Sequence, residues 1–373
     1  MSFLVGYIVI ALSCIFIAVN ALVSSVNSSP LWENALYLFF GIAWFSPIFI
    51  WIFQPKNIIP AKIYNFLAKG GYFLFGFAFL LTMFLIIRDV IWWLLYFAGS
   101  SYITSPNNFQ ILPYVNLLTI AITFILSVYA VFEAEKMPTV AYYKYTDKRI
   151  KRPLKILLAS DIHITKMISA DKIRTLVEYF NRLKSDIILL PGDIADDKTE
   201  DISLQIAELK NLQAPLGIYY TVGNHEVYFD PFTWEGEFAS LGWVVLHNSG
   251  VSIDNTGVYI AGVPDAMEMS ADIKQAVAKA KSDEYRILLS HTPTTIKKIS
   301  AGEVDLQVSG HTHGGQIFPF NLFTKWGNSG FLFGEYSVNG VKLLLSRGVG
   351  YWGPPMRLFA PNDIMLIELL PEK

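Results

Sequence analysis

Histidine and aspartate concentrate in five short runs between Ser160 and His313. The runs contain five of the six histidines, and only His247 lies outside them. Imidazole nitrogen is a common ligand of transition metals, and aspartate supplies the hard, negatively charged oxygen that a divalent cation also prefers. The residue types therefore indicate a metal site. The runs are Ser160-Asp161-Ile162-His163, Gly192-Asp193-Ile194-Ala195-Asp196, Gly223-Asn224-His225-Glu226, Ser290-His291-Thr292 and Gly310-His311-Thr312-His313.

The ligands that these runs offer are enough for two divalent ions. Asp161 and His163 are two residues apart, so in extended backbone their side chains point to the same side. The two oxygens of Asp193 could bridge a pair of ions at the ~3.5–4 Å separation typical of two-metal hydrolytic sites. The remaining candidates offer an amide oxygen and imidazole nitrogens: Asn224, His291, His311 and His313.

Such a site would attract an anionic substrate. Two divalent ions outweigh the negative charge of Asp161, Asp193 and one hydroxide, which favours an anionic oxygen such as phosphate. The only cysteine, Cys14, lies in an apolar stretch, and the chain lacks a Gly-x-x-x-x-Gly-Lys-Ser/Thr loop. Hydrolysis by metal-activated water is therefore favoured over a covalent intermediate.

His225 is predicted to act on protons rather than on metal. It shares one tight turn with Asn224 and Glu226, so it can stand beside the ions and donate a proton to the leaving group. Asp196 would orient it. A single run of this kind is as easily explained by ordinary capping or core hydrogen bonds, but five runs in one domain are not.

Charged residues are distributed unevenly. Of 29 Lys and Arg and 31 Asp and Glu, only Glu33, Lys56, Lys62, Lys69, Arg88 and Asp89 precede Phe132. Four stretches are apolar and about 20 residues long, the length that spans a bilayer: Phe3 to Val23, Ala35 to Phe53, Gly71 to about Leu95, and Ile111 to Phe132. Buried helices of a soluble domain would show polar faces, which these stretches lack.

The predicted organisation is a transmembrane module of about four helices (1–132), a polar linker (133–153) and a soluble domain (154–373). Arg88 and Asp89 are expected at the interfacial end of the third span. The formal net charge of −2 indicates no nucleic-acid-binding surface. Basic residues follow the second and fourth spans, whereas the first and third connections contain none, so the positive-inside rule places the soluble domain in the cytosol of a cell or inner membrane.

Short apolar runs in the soluble domain alternate with helical patterns. Runs beginning at Leu154, Asp186, Leu216, Val258, Arg286 and Asp305 are typical of strands buried on both faces. Helical patterns lie at 170–183, 202–212 and 271–280, and Asn339-Gly340 indicates a hairpin. The class is α/β with a mixed sheet, and each candidate ligand follows a strand, where ligands of open α/β sheets bind.

The order Asp-x-His, Gly-Asp-x-x-Asp, Gly-Asn-His-Glu, His, Gly-His-x-His resembles the calcineurin-like metallophosphoesterase superfamily. The runs Gly314 to Pro319 and Ser346 to Gly350 resemble its membrane-associated branch, which includes proteins similar to UDP-2,3-diacylglucosamine pyrophosphohydrolases. The resemblance leaves out the first ~150 residues. Some soluble relatives in this branch are exported.

The resemblance implies a four-layer α-β-β-α sandwich and two divalent ions (Mn, Fe, Zn or Mg). Asp161, His163, Asp193 and His313 would hold one ion, and Asp193, Asn224, His291 and His311 the other, with His225 as the acid paired with Asp196. The expected partners are the membrane and a phosphorylated substrate, for which the resemblance suggests a link to lipid.

Other function classes remain open. A catalytically idle membrane scaffold or sensor would be free to lose ligands, and every motif is present. A transporter would need paired polar groups in the membrane. The aromatic run Ile317 to Trp326, with Phe331 and Phe333, is either ordinary core or an apolar lip that takes acyl chains at the bilayer interface.

Overall fold

The chain forms two compact units. The computed structural model describes residues 2–23, 29–53, 61–99, 111–265, 267 and 269–372. The helical unit comprises Met1–Glu133 and Gly353–Leu358, and the sheet unit comprises Ala134–Trp352 and Phe359–Lys373.

Among the described residues, the helical unit contains four helices long and apolar enough to cross a membrane. They are α1 (Ser2–Val23), α2 (Pro30–Phe53), α3 (Ala61–Phe97) and α4 (Leu112–Glu135). Ala18, Phe40 and Leu81 form part of a core shared by α1, α2 and α3. Outward-facing residues such as Phe16 and Trp51 remain exposed, as expected for a surface that contacts lipid. The prediction of four long apolar helices before the soluble domain is confirmed.

The third helix is longer than predicted at both ends. Lys62 and Lys69, which we expected in the connection before it, lie in its first turns because the helix already begins at Ala61. Lys56 lies outside the described residues. Arg88 donates to the carbonyl of Ala21, near the end of α1, at 3.1 Å and to the side chain of Asn116, near the start of α4. Arg88 therefore lies among helix ends, as expected for an interfacial position.

In the described part of the chain, the sheet unit contains two six-stranded sheets. The first has the order β1-β12-β2-β3-β4-β5 and the second β10-β11-β9-β8-β7-β6. The strands are β1 (Thr139–Asp147), β2 (Leu154–Leu158), β3 (Ile187–Pro191), β4 (Ile218–Thr221), β5 (Val244–Val245), β6 (Ser249–Ile253), β7 (Val258–Gly262), β8 (Tyr285–Leu289), β9 (Leu306–Ser309), β10 (Gly334–Val338), β11 (Val341–Leu345) and β12 (Asp363–Pro371).

The described part of the sheet unit also contains the helices α5 (Ala170–Arg182), α6 (Ser203–Glu208), α7 (Asn224–Tyr228), α8 (Pro231–Ser240), α9 (Ile273–Val277) and α10 (Phe320–Gly327). Helices α5, α6 and α8 pack on the outer face of the first sheet, and α9 packs on that of the second. On the first sheet, Leu157, Ile188 and Tyr220 pack in one cluster with Phe180 of α5 and Trp234 of α8. The side chain of Ser169 accepts a hydrogen bond from the Lys172 amide and caps α5.

The two sheets pack face to face. Ile156 and Leu189 of the first sheet share a buried cluster with Ile287 of the second. The next residue, Leu288, points to the opposite face because side chains alternate along a strand, and it packs with Ile273 of α9. Each fully buried aliphatic side chain of this kind stabilises the fold by about 1.5–3 kcal/mol. The layers are thus helix, sheet, sheet, helix, as the resemblance implied.

The segment that we expected to be a polar linker contributes to a sheet. Residues Thr139–Asp147 form β1, which pairs in parallel with β12, from Thr139 opposite Asp363 to Asp147 opposite Pro371. The pattern of β1 is half polar because it is an edge strand, and only Tyr145 is buried along it. A sequence-local pattern does not distinguish such a strand from a linker.

Helix α10 exposes its aromatic side chains. Phe320 is 39% exposed, Phe323 60% and Trp326 86%, and the helix has no buried residue. Ordinary core packing therefore does not explain this part of the aromatic run. Phe331, in contrast, is buried and packs with Tyr336.

Candidate metal centre

The predicted site residues lie in loops that follow strands of both sheets. Because β2, β3 and β4 are parallel neighbours, as are β8 and β9, the carboxyl ends of these strands meet at one edge of each sheet. The structure brings together these ligand candidates, each beyond the end of a strand: Asp161, His163, Asp193, Asn224, His291, His311 and His313.

One group of ligand atoms surrounds His313. The Nε2 atoms of His163 and His313 are 3.0 Å apart, and His313 Nε2 is 3.3 Å from Asp161 Oδ1. His163 Nε2 is also 3.8 Å from Asp193 Oδ2. Asp161, His163 and His313 are buried and offer ligand atoms within 4.8 Å of one another.

A second group surrounds Asp193 and His311. His291 Nε2 is 3.0 Å from Asp193 Oδ2, and His311 Nδ1 is 3.0 Å from Asn224 Oδ1. The Nδ1 of His291 is 2.8 Å from the Pro191 carbonyl, which can only accept, so Nδ1 carries a proton and Nε2 is the nitrogen that faces Asp193.

These distances fit metal ions. Donor atoms about 2.1 Å from one ion and at right angles around it lie roughly 3 Å apart. Three pairs have this spacing: His163 with His313, His291 with Asp193, and His311 with Asn224. Carboxylate oxygen, amide oxygen and imidazole nitrogen are also the donor types that divalent cations take in proteins. The donor set therefore matches divalent cations.

Most of the candidate ligands have strained backbone. Asp161, His163, Asp193, His311 and His313 have φ between 50° and 77°, the left-handed region that residues other than glycine rarely adopt. Such residues cost of order 1–3 kcal/mol each and cluster at functional sites. Asp161 and His163 thus converge through left-handed backbone, not through the extended backbone that we expected.

Glycines allow the ligand loops to approach one another. A Cβ at Gly223 would overlap Oδ1 of Asp193, and one at Gly310 would overlap Oδ2 of Asp161. The amides of His225 and His311 use this close approach to donate to Asp193 Oδ1 and Asp161 Oδ1, both at 2.9 Å. Gly223 and Gly310 are therefore required because any larger residue would overlap the neighbouring ligand.

Glu226 is a functional residue to which sequence reasoning gave no role. Its buried carboxylate accepts hydrogen bonds from four backbone amides, those of Asp193, Ile194, Ala195 and Gly223, at 2.6–3.0 Å. Burial and the neighbouring Asp193 raise the pKa of Glu226 to about 7. The sequence feature that could have identified it is the position of this carboxylate directly after the site residues Asn224 and His225. Glu226 fixes the loop that carries Asp193.

The carboxylates of the site are ionised and one imidazole is held neutral. Burial raises the pKa of Asp161 and of Asp193, but the facing imidazoles, chiefly His313 for Asp161 and His291 for Asp193, lower both pKa values below the usual range. Burial and then His291 lower the pKa of His311. Burial also lowers the pKa of His291, but the facing Asp193 raises it well above its usual range, so a metal ion would have to displace a proton from this imidazole.

His225 and Asp196 form a hydrogen-bonded pair at the edge of the cluster. His225 Nδ1 is 2.7 Å from Asp196 Oδ1, and its Nε2 is 4.0 Å from Asp193 Oδ2. Burial lowers the pKa of His225, but Asp193 and Asp196 raise it to about 9. Burial raises the pKa of Asp196, whereas His225 and His163 bring it down to about 2. His225 also offers a ligand atom near His163 and Asp193, so the geometry allows either role.

Comparison with known proteins assigns the family. The calcineurin-like phosphoesterase family model matches residues 154–315, the segment that carries every candidate ligand. A metallophosphoesterase of Aquifex aeolicus is 32% identical over 243 residues, which cover 61% of this chain and 90% of that relative. The chain belongs to the calcineurin-like phosphoesterase family.

Other relatives extend this assignment. A Helicobacter pylori metallophosphoesterase is 35% identical over 235 residues, which cover 61% of this chain and 62% of the relative. A transmembrane protein with metallophosphoesterase domain from Bos taurus is 32% identical over 274 residues, covering 68% of this chain and 62% of its own length. The chain thus spans less than two thirds of these two relatives. With its four apolar helices, the protein is a membrane phosphoesterase-family member.

Proposed function

We propose that the protein is a membrane-anchored metallophosphoesterase that hydrolyses a phosphate ester or a pyrophosphate with two divalent ions. The observation that carries the proposal is the convergence of buried carboxylates and imidazoles at three spacings of 3.0 Å, which suit donors to common cations. In the proposed assignment Asp193 is shared by both ions. Its partners on one side are Asp161, His163 and His313, and on the other side Asn224, His291 and His311.

The ions and the protein would make separate contributions to hydrolysis. When bound, two divalent ions lower the pKa of a water molecule and stabilise the attacking and leaving oxygens of an in-line displacement. The protein supplies the geometry: Glu226 holds the Asp193 loop through four amides, and the Pro191 carbonyl holds His291 in one tautomer. Hydrogen bonds that orient metal ligands in this way commonly tune the affinity for the metal.

His225 is proposed to donate the proton that the leaving oxygen needs. Asp196 accepts from Nδ1, which turns Nε2 toward Asp193 and the cluster. The hydrogen bond from Nδ1 to the ionised Asp196 raises the pKa of His225 and favours the protonated ring that an acid needs. After transfer, the ionised Asp196 stabilises the position of the ring.

We further propose that the substrate is linked to lipid. Helix α10 begins seven residues after His313, and its first turn is close to the ligand loop, since a Cβ on Gly315 would overlap Asn321 Cα. The helix exposes Phe320, Phe323 and Trp326 beside a candidate metal centre. An exposed apolar helix in a chain with four apolar spans suits contact with acyl chains at the interface. This substrate type agrees with the resemblance to UDP-2,3-diacylglucosamine hydrolases.

The test uses the full-length protein in detergent. Metal is removed with a chelator, and hydrolysis of 4-nitrophenyl phosphate is measured before and after addition of Mn²⁺. Activity should require the metal and saturate near two ions per chain, measured by elemental analysis. A protein that binds two ions and hydrolyses neither this ester, nor a nucleoside diphosphate sugar, nor a lipid-linked pyrophosphate would instead be an idle scaffold, and the proposal would be wrong.

A further inference from the structure

Asp265 is a buried acidic residue outside the five runs that carry the candidate ligands. It lies three residues after the end of β7 and has no exposed surface. Strands β7, β8 and β9 are parallel neighbours, so their carboxyl ends meet at one edge of the second sheet. The candidate ligands His291 and His311 follow β8 and β9 at this edge. The fold therefore brings Asp265 to the same edge of the sheet as two candidate metal ligands.

Both oxygens of the Asp265 side chain accept hydrogen bonds. Oδ1 accepts from the Met267 amide at 2.9 Å, and Oδ2 accepts from the hydroxyl of Thr292, which is itself buried. The Asp265 carbonyl accepts from the Met269 amide at 2.9 Å, so the loop that carries the carboxylate is fixed as well. Thr292 directly follows His291 in the chain. The bond between Asp265 and Thr292 therefore joins the loop after β7 to the ligand loop after β8.

The rest of the His291 loop is held by groups of other strands. Nδ1 of His291 lies 2.8 Å from the Pro191 carbonyl, and the His291 carbonyl accepts from the Gly310 amide at 3.1 Å. The carbonyl of Thr292 accepts from the side-chain amide of Gln307 at 3.3 Å. Each of these partners is uncharged, whereas Asp265 brings a carboxylate. Of these contacts, the one with Asp265 can therefore affect the charge of the site as well as its geometry.

The charge of Asp265 acts on both imidazoles at this edge. Burial lowers the pKa of His291 and of His311, and Asp265 is among the carboxylates that raise both pKa values. A negative charge that favours a proton on an imidazole also favours a divalent cation at the same nitrogen, because both are positive. Asp265 therefore adds negative charge to the side of the site that contains His291 and His311.

We propose that Asp265 is a positioning residue for the second ion, the one assigned to Asn224, His291 and His311. Through the Thr292 hydroxyl it orients the His291 loop, and its negative charge strengthens the binding of a divalent cation by the two imidazoles. The inference rests on the proposed two-ion assignment and makes it more specific. Because Thr292 adjoins a ligand of the second ion, the two ions should differ in how strongly they depend on Asp265.

Thr256 provides a matched control for Thr292. It is likewise a buried threonine, and its hydroxyl donates to the Ile253 carbonyl at 2.7 Å and accepts from the Val258 amide at 3.1 Å. Thr256 lies in the turn before β7, at the opposite end of this strand from Asp265. Replacement by valine at either position removes a buried hydroxyl with little change in shape, but of the two only Thr292 adjoins a candidate ligand.

The experiment titrates Mn²⁺ into the full-length protein in detergent after a chelator has removed its metal. Calorimetry measures the affinity of each binding step, and elemental analysis counts the bound ions. The reference variants His291→Ala and His313→Ala identify the two steps, because in the proposed assignment each removes a ligand of one ion only. Metal binding is thus measured without reference to catalysis.

Thr292→Val should weaken the step that His291→Ala removes by about 10–100-fold, the usual effect of losing a group that orients a metal ligand. The step that His313→Ala removes should change little. Thr292→Ser keeps the hydroxyl and should restore the wild-type affinity. Asp265→Asn keeps one acceptor oxygen but loses the charge, so it should weaken the same step by about tenfold. Thr256→Val should resemble the wild type in both steps.

The melting temperature of the metal-free protein separates this role from a purely structural one. Lower melting temperatures in Thr292→Val and Asp265→Asn with wild-type affinity in both steps would overturn the inference. Equal weakening of both steps, or failure of Thr292→Ser to restore affinity, would overturn it as well. Two bound ions without hydrolysis of any substrate would refute the proposed hydrolysis and leave this inference to the titration. A wild-type protein that bound fewer than two ions would overturn both.

Discussion

At the scale of single residues, each side chain at the site has a distinct neighbour that defines what it can do. His291 donates to the Pro191 carbonyl and presents its other nitrogen to Asp193, whereas His225 bonds Asp196. In the proposed assignment, the same type of side chain therefore binds metal in one place and transfers a proton in another. This distinction can be tested by substitution.

Asp193→Asn is predicted to nearly abolish turnover and to lower bound metal below two ions per chain. The proposed bridge loses its negative charge and one of its two oxygens, so both ions lose affinity. Elemental analysis and the 4-nitrophenyl phosphate assay measure the two effects. Asp254→Asn, at an exposed turn between β6 and β7, is the control and should behave as the wild type. Two bound ions with a near-normal rate in Asp193→Asn would contradict the assignment.

His225→Ala is predicted to keep both ions and to lose roughly 10²–10⁴-fold in rate, the usual contribution of general acid catalysis. The loss should be smaller for aryl phosphates, whose leaving groups need no proton, than for alkyl phosphates. The control is His247→Ala, because His247 pairs with Glu235 at the same 2.7 Å outside the site. Equal losses on aryl and alkyl phosphates would contradict the acid role, and loss of metal would instead make His225 a ligand.

At the scale of elements, α10 differs from the other helices of the sheet unit. Helix α5 buries Ile173, Leu176, Val177 and Phe180 against the first sheet, whereas α10 buries none of its residues. Exposing large aromatic side chains to water has no benefit for folding, since burial would stabilise them. A functional contact therefore explains the exposed aromatic side chains of α10 better than packing within the sheet unit does.

Replacing Phe320 and Phe323 together by Ser is predicted to impair hydrolysis of a lipid-linked phosphate or pyrophosphate far more than that of a soluble aryl phosphate. Because both rings are exposed, the melting temperature should change little. Phe331→Ser is the control: this ring is buried, so its truncation should destabilise the protein by about 3–5 kcal/mol. Equal loss on both substrates, together with a lower melting temperature, would remove the support for a lipid substrate.

At the scale of the whole molecule, the sidedness of the sheet unit remains a prediction from the positive-inside rule. Lys62 and Lys69 lie within α3, but at its N-terminal end, so they still mark the same side of the membrane as the second connection. The charge pattern therefore continues to predict a cytosolic phosphoesterase domain.

A cysteine at Ser282, an exposed position before β8, tests this prediction in a Cys14→Ala background. In sealed right-side-out vesicles, Ser282→Cys should resist an impermeant thiol reagent and react after detergent is added. Ser29→Cys, an exposed position just before α2, should react without detergent. The reverse pattern of labelling would place the catalytic domain on the outside.

The sequence alone predicted the elements whose pattern is local. The strands that became β2, β3, β4, β7, β8 and β9 are continuous apolar runs, and such runs are diagnostic because both faces of a central strand are buried. The four spans were predicted for a similar reason, since a bilayer requires about 20 apolar residues in a row. The ligand motifs were recognised from residue type and spacing, which a metal site constrains directly.

Only the tertiary structure decided the features that depend on neighbours distant in sequence. Strand β1 was hidden because an edge strand alternates like a polar linker, and its partner β12 lies more than 200 residues later. The role of Glu226 requires four amides from two loops. The exposure of α10 was likewise undetermined, because an aromatic run has the same composition in a core and at a surface. Local sequence specifies which secondary structure a segment can form, whereas packing specifies which distant residues the segment contacts.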